Sequence, residues 1–437
     1  MSIADFSGRV RPDACPGALQ VHDAADGPLA RVRLPGGAIS GGQLRELAAC
    51  AAELGSGVVE LTSRANVQVR GLRAPAAFAE RIAATGLLPS AAHERVRNIV
   101  ASPLGGRGPS GLVDTQPLVE ALDLALCARA RLAGLPGRFL FALDDGTGDM
   151  RQLAADVTLV PSAAGGDACA TLPHSAVAGG DASATLLLAG VDTGLVVPRD
   201  AAVGQMIAAA EAFLDERERG LSDRDRGAWR IAELADGPAR IATDLGVADV
   251  PAQVAAHLGS ADSPAHAGVA DDRATTAPDD SPACSAHRPG PVDQRDGRVA
   301  LEAVVPLGRL SAAQVRAVAD TADDGGAVPV RLTPWRTVVL LDLSPAAAER
   351  AVRQLSAAGL VTDPVSPWVG VSACTGRPGC AKSLADVQED VRRWVATLDA
   401  PAATPVHWAG CERRCGLPRG RVVQMVATAD GYEERLP

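Results

Sequence analysis

PGGAISGGQLRELAACAAELGSGVVELTSRANVQVRGL, residues 35–72, aligns without a gap onto PLGRLSAAQVRAVADTADDGGAVPVRLTPWRTVVLLDL, residues 306–343, at an offset of 271. The identities fall on punctuation as well as on helix positions: Pro35/Pro306, Gly37/Gly308, Ser40/Ser311, Gln43/Gln314, Arg45/Arg316, Gly55/Gly326, Leu61/Leu332, Thr62/Thr333 and Val67/Val338. Ala-rich helices can match by chance; matched proline, glycine and threonine across the whole span point to a duplication. Each copy predicts a strand (about 29–34 and 299–305) and a helix capped by Ser40 or Ser311. Leu44, Leu47, Ala48 and Ala51 give one helix its apolar stripe; Val315, Val318, Ala319 and Ala322 give the other's. Strands follow at 58–62 and 66–70, and at 328–332 and 337–343, with closing helices at 75–85 and 345–358. This β-α-β-β-α half defines an α+β fold. Its exposed sheet edges favour pairing of two halves within one molecule.

The 437 residues exceed one ordinary core. Apolar residues at 47% and charged residues at 22% are globular values. A net charge of −10 argues against nucleic acid as a main partner. The N-terminal MSIADFSGRVRPDAC lacks an apolar leader, and the most apolar stretch, 185–198, is too short to span a bilayer. A cytoplasmic protein with no membrane partner is the expectation. Residues 259–297, rich in Asp, Ala, Ser, Pro and Gly, read as a flexible linker. Cys284 and His287 within it have nothing around them to fix a metal geometry.

Nine cysteines in such a compartment point to metal binding or catalysis rather than disulfides. Cys374 and Cys380 form a C-x5-C pair, and Cys411 and Cys415 a C-x3-C pair thirty residues on, both in Gly/Pro-punctuated loops. Four soft thiolates select an iron–sulfur cluster or zinc. Structural zinc prefers tighter knuckles, so the first spacing fits a cluster better. Cys50 and Cys127 lie in predicted helices and read as core residues, Cys15 as structural and Cys169 as incidental. The motif Gly106-Arg-Gly108-Pro-Ser-Gly111 matches G-x-G-x-x-G only formally, because Pro109 stands where a helix should start and no β-α-β unit surrounds it.

With the repeat and the cysteine spacing in place, the chain resembles the sulfite/nitrite reductase superfamily, in which two related halves form a pseudo-twofold enzyme. The resemblance covers most of the chain outside the linker. It is carried further by Leu61-Thr62-Ser63-Arg64-Ala65-Asn66, by Arg97-Asn98-Ile99-Val100-Ala101-Ser102-Pro103, and by Leu135-Pro136-Gly137-Arg138-Phe139 continuing to Asp144-Asp145-Gly146. The implied architecture is two ferredoxin-like half-domains paired with two α/β cluster- and tetrapyrrole-binding domains. It divides the chain into 11–72 (first half-domain), 73–258 (first α/β domain), the linker 259–297, 298–362 (second half-domain) and 363–437 (cluster-binding domain).

The resemblance implies a 4Fe–4S cluster on Cys374, Cys380, Cys411 and Cys415. It also implies a polycarboxylate macrocycle anchored by Arg64, Arg97, Arg138 and Arg336. Arginine suits that task, since its planar fork binds carboxylates bidentately and stays charged. Siroheme reductases carry K-x-K in the third element, where this chain has Arg138 and Leu140. That departure, with Leu332-Thr333-Pro334-Trp335-Arg336 and Arg11-Pro-Asp-Ala-Cys15-Pro-Gly, resembles the precorrin-3B synthase branch. The branch implies oxygen-dependent hydroxylation of precorrin-3A at carbon 20 with γ-lactone formation, in aerobic cobalamin biosynthesis. Its cofactors are the cluster and a non-haem iron. Its electrons come from an external ferredoxin or an NAD(P)H-dependent reductase. The alternative is a siroheme-dependent sulfite or nitrite reductase. His407, four residues before Cys411, could tune or ligate iron, or simply pack. No residue pattern identifies ligands for a second iron.

Overall fold

The computed structural model describes residues 13, 15–162, 183–220, 226–247 and 288–436. Cys169, Cys284, His287 and most of the linker expected at 259–297 lie outside the described residues. The chain divides into two compact units, one of Ala14–Gly111 with His287–Pro437, the other of Met1–Asp13 with Leu112–Ala286.

In the first of these units both repeats form the expected elements. Strand Gly27–Val32, helix Gly41–Leu54, strands Val58–Leu61 and Val67–Val69 and helix Pro75–Ala84 make one half. Strand Val299–Val304, helix Ala312–Asp324, strands Val330–Leu332 and Thr337–Leu343 and helix Pro345–Ala357 make the other. Both helix starts are reciprocal capping boxes: Ser40 and Gln43 exchange side chain–backbone hydrogen bonds, as do Ser311 and Gln314. Each of these glutamines also reaches the end of its half's second helix, donating to the Thr85 or the Ala358 carbonyl at 3.0 Å.

The halves are joined by an exchange of edges. Ala38–Ile39 of the first repeat pairs with Val330–Leu332 of the second, and Arg309–Ser311 of the second pairs with Val58–Leu61 of the first. Each half therefore completes a five-stranded antiparallel sheet with a strand from the other. One edge of each half, at Val58–Leu61 and at Val330–Leu332, is paired in this way. Leu47, Phe78 and Ile82 join Val318, Leu340 and Leu355 in one continuous apolar core. Gly37 makes the crossing possible. Its φ is +67°, and a methyl group there would lie 1.9 Å from the Leu332 carbonyl oxygen. Gly37→Ala should cost at least ~3 kcal/mol in urea unfolding, from left-handed strain plus the clash. Gly57→Ala, with φ +81° and nothing within 4 Å, should cost only the strain, about 1–2 kcal/mol.

Two expected boundaries move. Residues 73–111 group with the half-domains rather than with the segment up to 258. Helix Pro75–Ala84 explains this, because its Phe78 and Ile82 are fully buried in the shared core. The end of the expected linker is also ordered: Gly290–Asp293 pairs antiparallel with Val299–Val304. An Asp-Gly turn joins them, with the Gln294 amide donating to the Arg298 carbonyl and Gly297 at φ +78°. Its Pro/Gly/Asp composition made a hairpin look like coil.

The same unit ends in a four-stranded sheet. Val371–Ala373, Val406–Ala409 and Val423–Thr428 run parallel, and Gly431–Arg435 closes the edge antiparallel. Helix Val387–Val395 packs on it through Val387, Val391 and Val395, and Trp408 stacks between Trp394 and Tyr432.

The other unit holds a sheet in which Phe141–Leu143 and Val157–Pro161 run parallel, followed antiparallel by Ser183–Leu188 and Val191–Pro198. Helix Ala202–Arg219 covers it, helix Gln116–Cys127 packs on that helix, and Phe139 packs between Phe141 and Phe213. Fully buried Asp156 ties its loops. It accepts the Leu140 and Ile231 amides at 2.8 Å and pairs with Arg230 at 2.5 Å. Among the described residues no helix is long and apolar enough to cross a membrane.

Candidate metal centre and anion site

Cys374 directly follows strand Val371–Ala373, and Cys411 follows strand Val406–Ala409. These strands are parallel neighbours, with Ala373 opposite Trp408, so both cysteine loops leave the same end of the sheet. Carboxyl ends of parallel strands are where open α/β sheets place ligands. The loops are laced together. The Cys374 amide donates to the Trp408 carbonyl at 2.9 Å, and the Leu384 amide to the Gly410 carbonyl at 2.8 Å. The Gly410 amide donates to the Cys374 sulfur at 3.2 Å. Gly410 allows this approach: a methyl there would sit 1.8 Å from Ser383 Oγ.

The four thiols form one electrostatic group. Cys374 feels Cys415 and Cys411, and Cys415 feels Cys411 and Cys380. Burial pushes Cys374 up, against hydrogen bonds from the Gly410 and Gly376 backbone. Burial and then Cys411 and Cys380 push Cys415 up. Four thiolates so placed repel one another, and a bound cation would relieve that repulsion. Three of the four are half-buried and Cys415 is exposed. Cys50, by contrast, is buried in the helix core, where burial pushes it to about 11. Cys15 and Cys127 are half-buried.

Each half-domain sends an arginine to these loops. Arg70 donates to the Gly379 carbonyl at 2.7 Å, beside Cys380, and forms a bidentate pair with Asp26 at 2.8 and 3.0 Å. Arg336 donates to the Gly416 carbonyl at 3.4 Å, beside Cys415. Behind Cys415 lies His407, fully buried, with Nδ1 2.9 Å from Ser372 Oγ and the Cys415 backbone as a further hydrogen-bonding neighbour. Burial and then Arg336 push its pKa down to about 3, so the ring is neutral at physiological pH.

The expected arginine anchors fall in three places. Arg64 and Arg97 belong to one neighbourhood. Arg97 is buried and donates to the Leu87 carbonyl at 3.2 Å, and it lines a cleft with Arg31, Arg33 and Glu94. Arg138 belongs to the other unit, where its guanidinium carbon stands 5.8 Å from the Trp229 ring centre. The preceding Gly137 amide donates to Asp13, in the N-terminal motif. Arg336 stands at the cysteine loops, as described. Asp144, Asp145 and Asp149 are buried with ligand atoms within 4.8 Å of one another. Asp144 accepts the Gly146, Gly148 and Met150 amides, and Asp145 accepts the Thr147 amide and hydroxyl, so this third element is a backbone-tying turn. In the formal G-x-G-x-x-G stretch, Arg107 pairs with Asp342 at 2.8 Å.

Arg33 escaped the sequence reading. It is 2% exposed, donates one hydrogen bond, to the Arg95 carbonyl at 3.1 Å, and leaves Nε and Nη1 without partners. Burial, then Arg31 and further Arg64, push its pKa down to about 9 against the pull of Cys15 and Glu94. Glu94 is engaged elsewhere, accepting the Ala18, Leu19 and Gln20 amides. The usable signal was Arg31-Val32-Arg33, two cations on one face of a strand. At the repeat offset these positions become Glu302 and Val304, and Arg64 becomes Trp335. The cation cluster thus exists in the first half alone.

The nitrite/sulfite reductase ferredoxin-like half-domain model matches residues 22–79 and 292–358, the two repeats. The two matched segments support the sulfite/nitrite reductase superfamily expected from the sequence. A ferredoxin–nitrite reductase of Synechococcus elongatus is 26% identical over 405 residues, covering 90% of this chain and 74% of the relative. A precorrin-3B synthase of a Sinorhizobium species is 25% identical over 435 residues, covering 97% and 82%. The solved structure of the Mycobacterium tuberculosis NirA protein aligns over 93% of this chain and 73% of its own, with TM-score 0.64 and 21% identity. The duplicated half-domain architecture expected for this superfamily is the one observed.

Proposed function

We propose that the chain is an oxidoreductase acting on a tetrapyrrole, with the activity of a precorrin-3B synthase. In this reading it hydroxylates precorrin-3A at carbon 20 and closes the γ-lactone, using dioxygen and electrons from an external ferredoxin or reductase. The observation that carries the reading is that one unit holds both the four-cysteine loops and a first-half arginine cluster around buried Arg33, two of whose nitrogens have no hydrogen-bond partner. Cys374, Cys380, Cys411 and Cys415 would hold a 4Fe–4S cluster. Zinc bonded at about 2.3 Å would draw sulfurs to about 3.8 Å of one another. The five-residue gap of the first cysteine pair is wider than the knuckles zinc prefers, so the four thiolates suit a cluster better. Such a cluster supplies single-electron transfer.

The chain's own residues do the rest. Arg31, Arg33, Arg64 and Arg97 bind and orient ring carboxylates, and burial keeps water from competing for Arg33. Arg138 keeps its assignment as a carboxylate anchor. The K-x-K of siroheme enzymes is replaced by Arg138 and Leu140, and Leu140 is buried with its amide on Asp156. That loss of a cation favours a free macrocycle substrate over bound siroheme, with the cluster and a non-haem iron as the cofactors.

The test is anaerobic reconstitution, then precorrin-3A, dioxygen and a reductant. Mass spectrometry should show the hydroxylactone, and unchanged precorrin-3A would sink the assignment. The second reading, a siroheme-dependent nitrite or sulfite reductase, is supported by the likeness to the Synechococcus enzyme. It predicts a haem Soret band and extractable siroheme in the purified protein.

A further inference from the structure

Arg336 occupies an unusual backbone position. Residues 62–66 and 333–337 form the same tight turn. Thr62 and Thr333 amides donate to the Asn66 and Thr337 carbonyls at 2.9 and 3.1 Å, and their hydroxyls accept the same two residues' amides. The left-handed residue of the turn is Ala65 in one half, with φ +56°, and Arg336 in the other, with φ +62°. A side chain with a Cβ is strained at a left-handed position. The first half meets the same geometry with alanine.

The surroundings accommodate that side chain closely. A methyl on Gly308 would fall 2.5 Å from Arg336 Cδ, and one on Gly416 would fall 3.0 Å from its Nη2. Two glycines thus form the track along which the arginine runs to the Cys415 loop. The side chain is half-buried, and burial pushes its pKa down. Among the described residues no carboxylate lies within ion-pair distance. Glu60 acts only from further away, and it already pairs with Arg309 at 2.9 Å. Arg70, the corresponding visitor to the Cys380 loop, is by contrast neutralised by Asp26. Arg70 thus reaches the Cys380 loop already paired, whereas Arg336 reaches the Cys415 loop without a carboxylate of its own, alongside Arg413, which acts on the Cys415 thiol.

We infer that Arg336 is a counter-charge of the cysteine site, raising the reduction potential of an iron–sulfur group held there, and is not an anchor for the macrocycle. This rests on the cluster reading above. Reduction adds negative charge to a group already bearing four thiolates. A nearby cation in a low-dielectric setting favours the reduced form, and removing it favours the oxidised one.

The experiment uses the full chain, reconstituted as wild type, Arg336→Gln, Arg336→Lys and Arg336→Met. Iron and acid-labile sulfide are assayed first, followed by an EPR-monitored redox titration. Binding of uroporphyrin, an eight-carboxylate porphyrin, is measured in parallel. The Gln and Met variants should keep full iron and sulfide. Each should show an about tenfold lower reduced-to-oxidised ratio at fixed potential, or ~59 mV for one electron. Lys should stay within about twofold of wild type, and uroporphyrin affinity should hold throughout. Met keeps the stem's packing over Gly308 should Gln disturb the turn. Unchanged potential in an intact four-iron variant overturns the inference alone, as does a tenfold loss of uroporphyrin binding at unchanged potential. Wild-type protein free of sulfide overturns the cluster reading, and the inference with it.

Discussion

Arg33→Met should yield a chain that is more stable than the parent and nearly blind to polycarboxylate rings. Arg33 is buried with two of its nitrogens unpartnered, and Arg31 and Arg64 repel it. A guanidinium keeps its charge at neutral pH, so the fold bears the desolvation. Replacing buried charges with apolar groups of similar volume is neutral or stabilising by about 1–4 kcal/mol. Methionine gives up one hydrogen bond, to the Arg95 carbonyl, worth about 1 kcal/mol. A net gain of up to about 3 kcal/mol follows, which differential scanning calorimetry should read as a Tm rise of a few degrees. Binding should move the other way. Losing a charge-assisted, desolvated contact costs about 2–5 kcal/mol, so uroporphyrin affinity should fall at least ~30-fold. A merely structural arginine would lose stability on the same substitution and leave affinity alone. That pattern would remove Arg33 from the anion site.

Cys380→Ser should empty the metal centre. Serine is a hard, weakly acidic ligand, and soft thiolates are what retain iron–sulfur groups. The Cys380 loop is pre-set by Arg70 on the Gly379 carbonyl, so the substitution changes the ligand without releasing the loop. Iron and sulfide should drop from about four of each per chain to below about one, with loss of the brown visible absorbance. The loss should also lower Tm, because a group that binds only the folded chain stabilises it. Cys50→Ser is the control. That thiol lies in the helix core beside Glu46, and its variant should keep full iron while losing some packing stability. Equal iron content in Cys380→Ser and wild type would exclude Cys380 as a ligand.

Much of this was legible from one dimension. The duplication was readable because turns, caps and crossings demand particular residues. Ser40/Gln43 and Ser311/Gln314 write the same capping box twice, and Thr62 and Thr333 the same turn. The cysteine pairs were readable because ligand spacing within a loop is a local property. Arg33 was not, since period-two alternation cannot tell a solvated strand face from a buried one. That helix Pro75–Ala84 packs with the half-domains was not legible, because it declares its partner only through Phe78 and Ile82. The hairpin at Gly290–Asp293 hid in coil-like composition.

The sequence by itself determined two α+β halves, their internal turns and caps, and two thiol-bearing loops, since each depends on contacts a few residues apart. The tertiary structure alone decided three other things. The halves trade edge strands, Arg33 lies buried among like charges, and Arg336 runs over two glycines to the Cys415 loop. The reason is that burial and long-range electrostatics depend on which distant segments meet. No local pattern along the chain encodes the charge a neighbour from another strand brings.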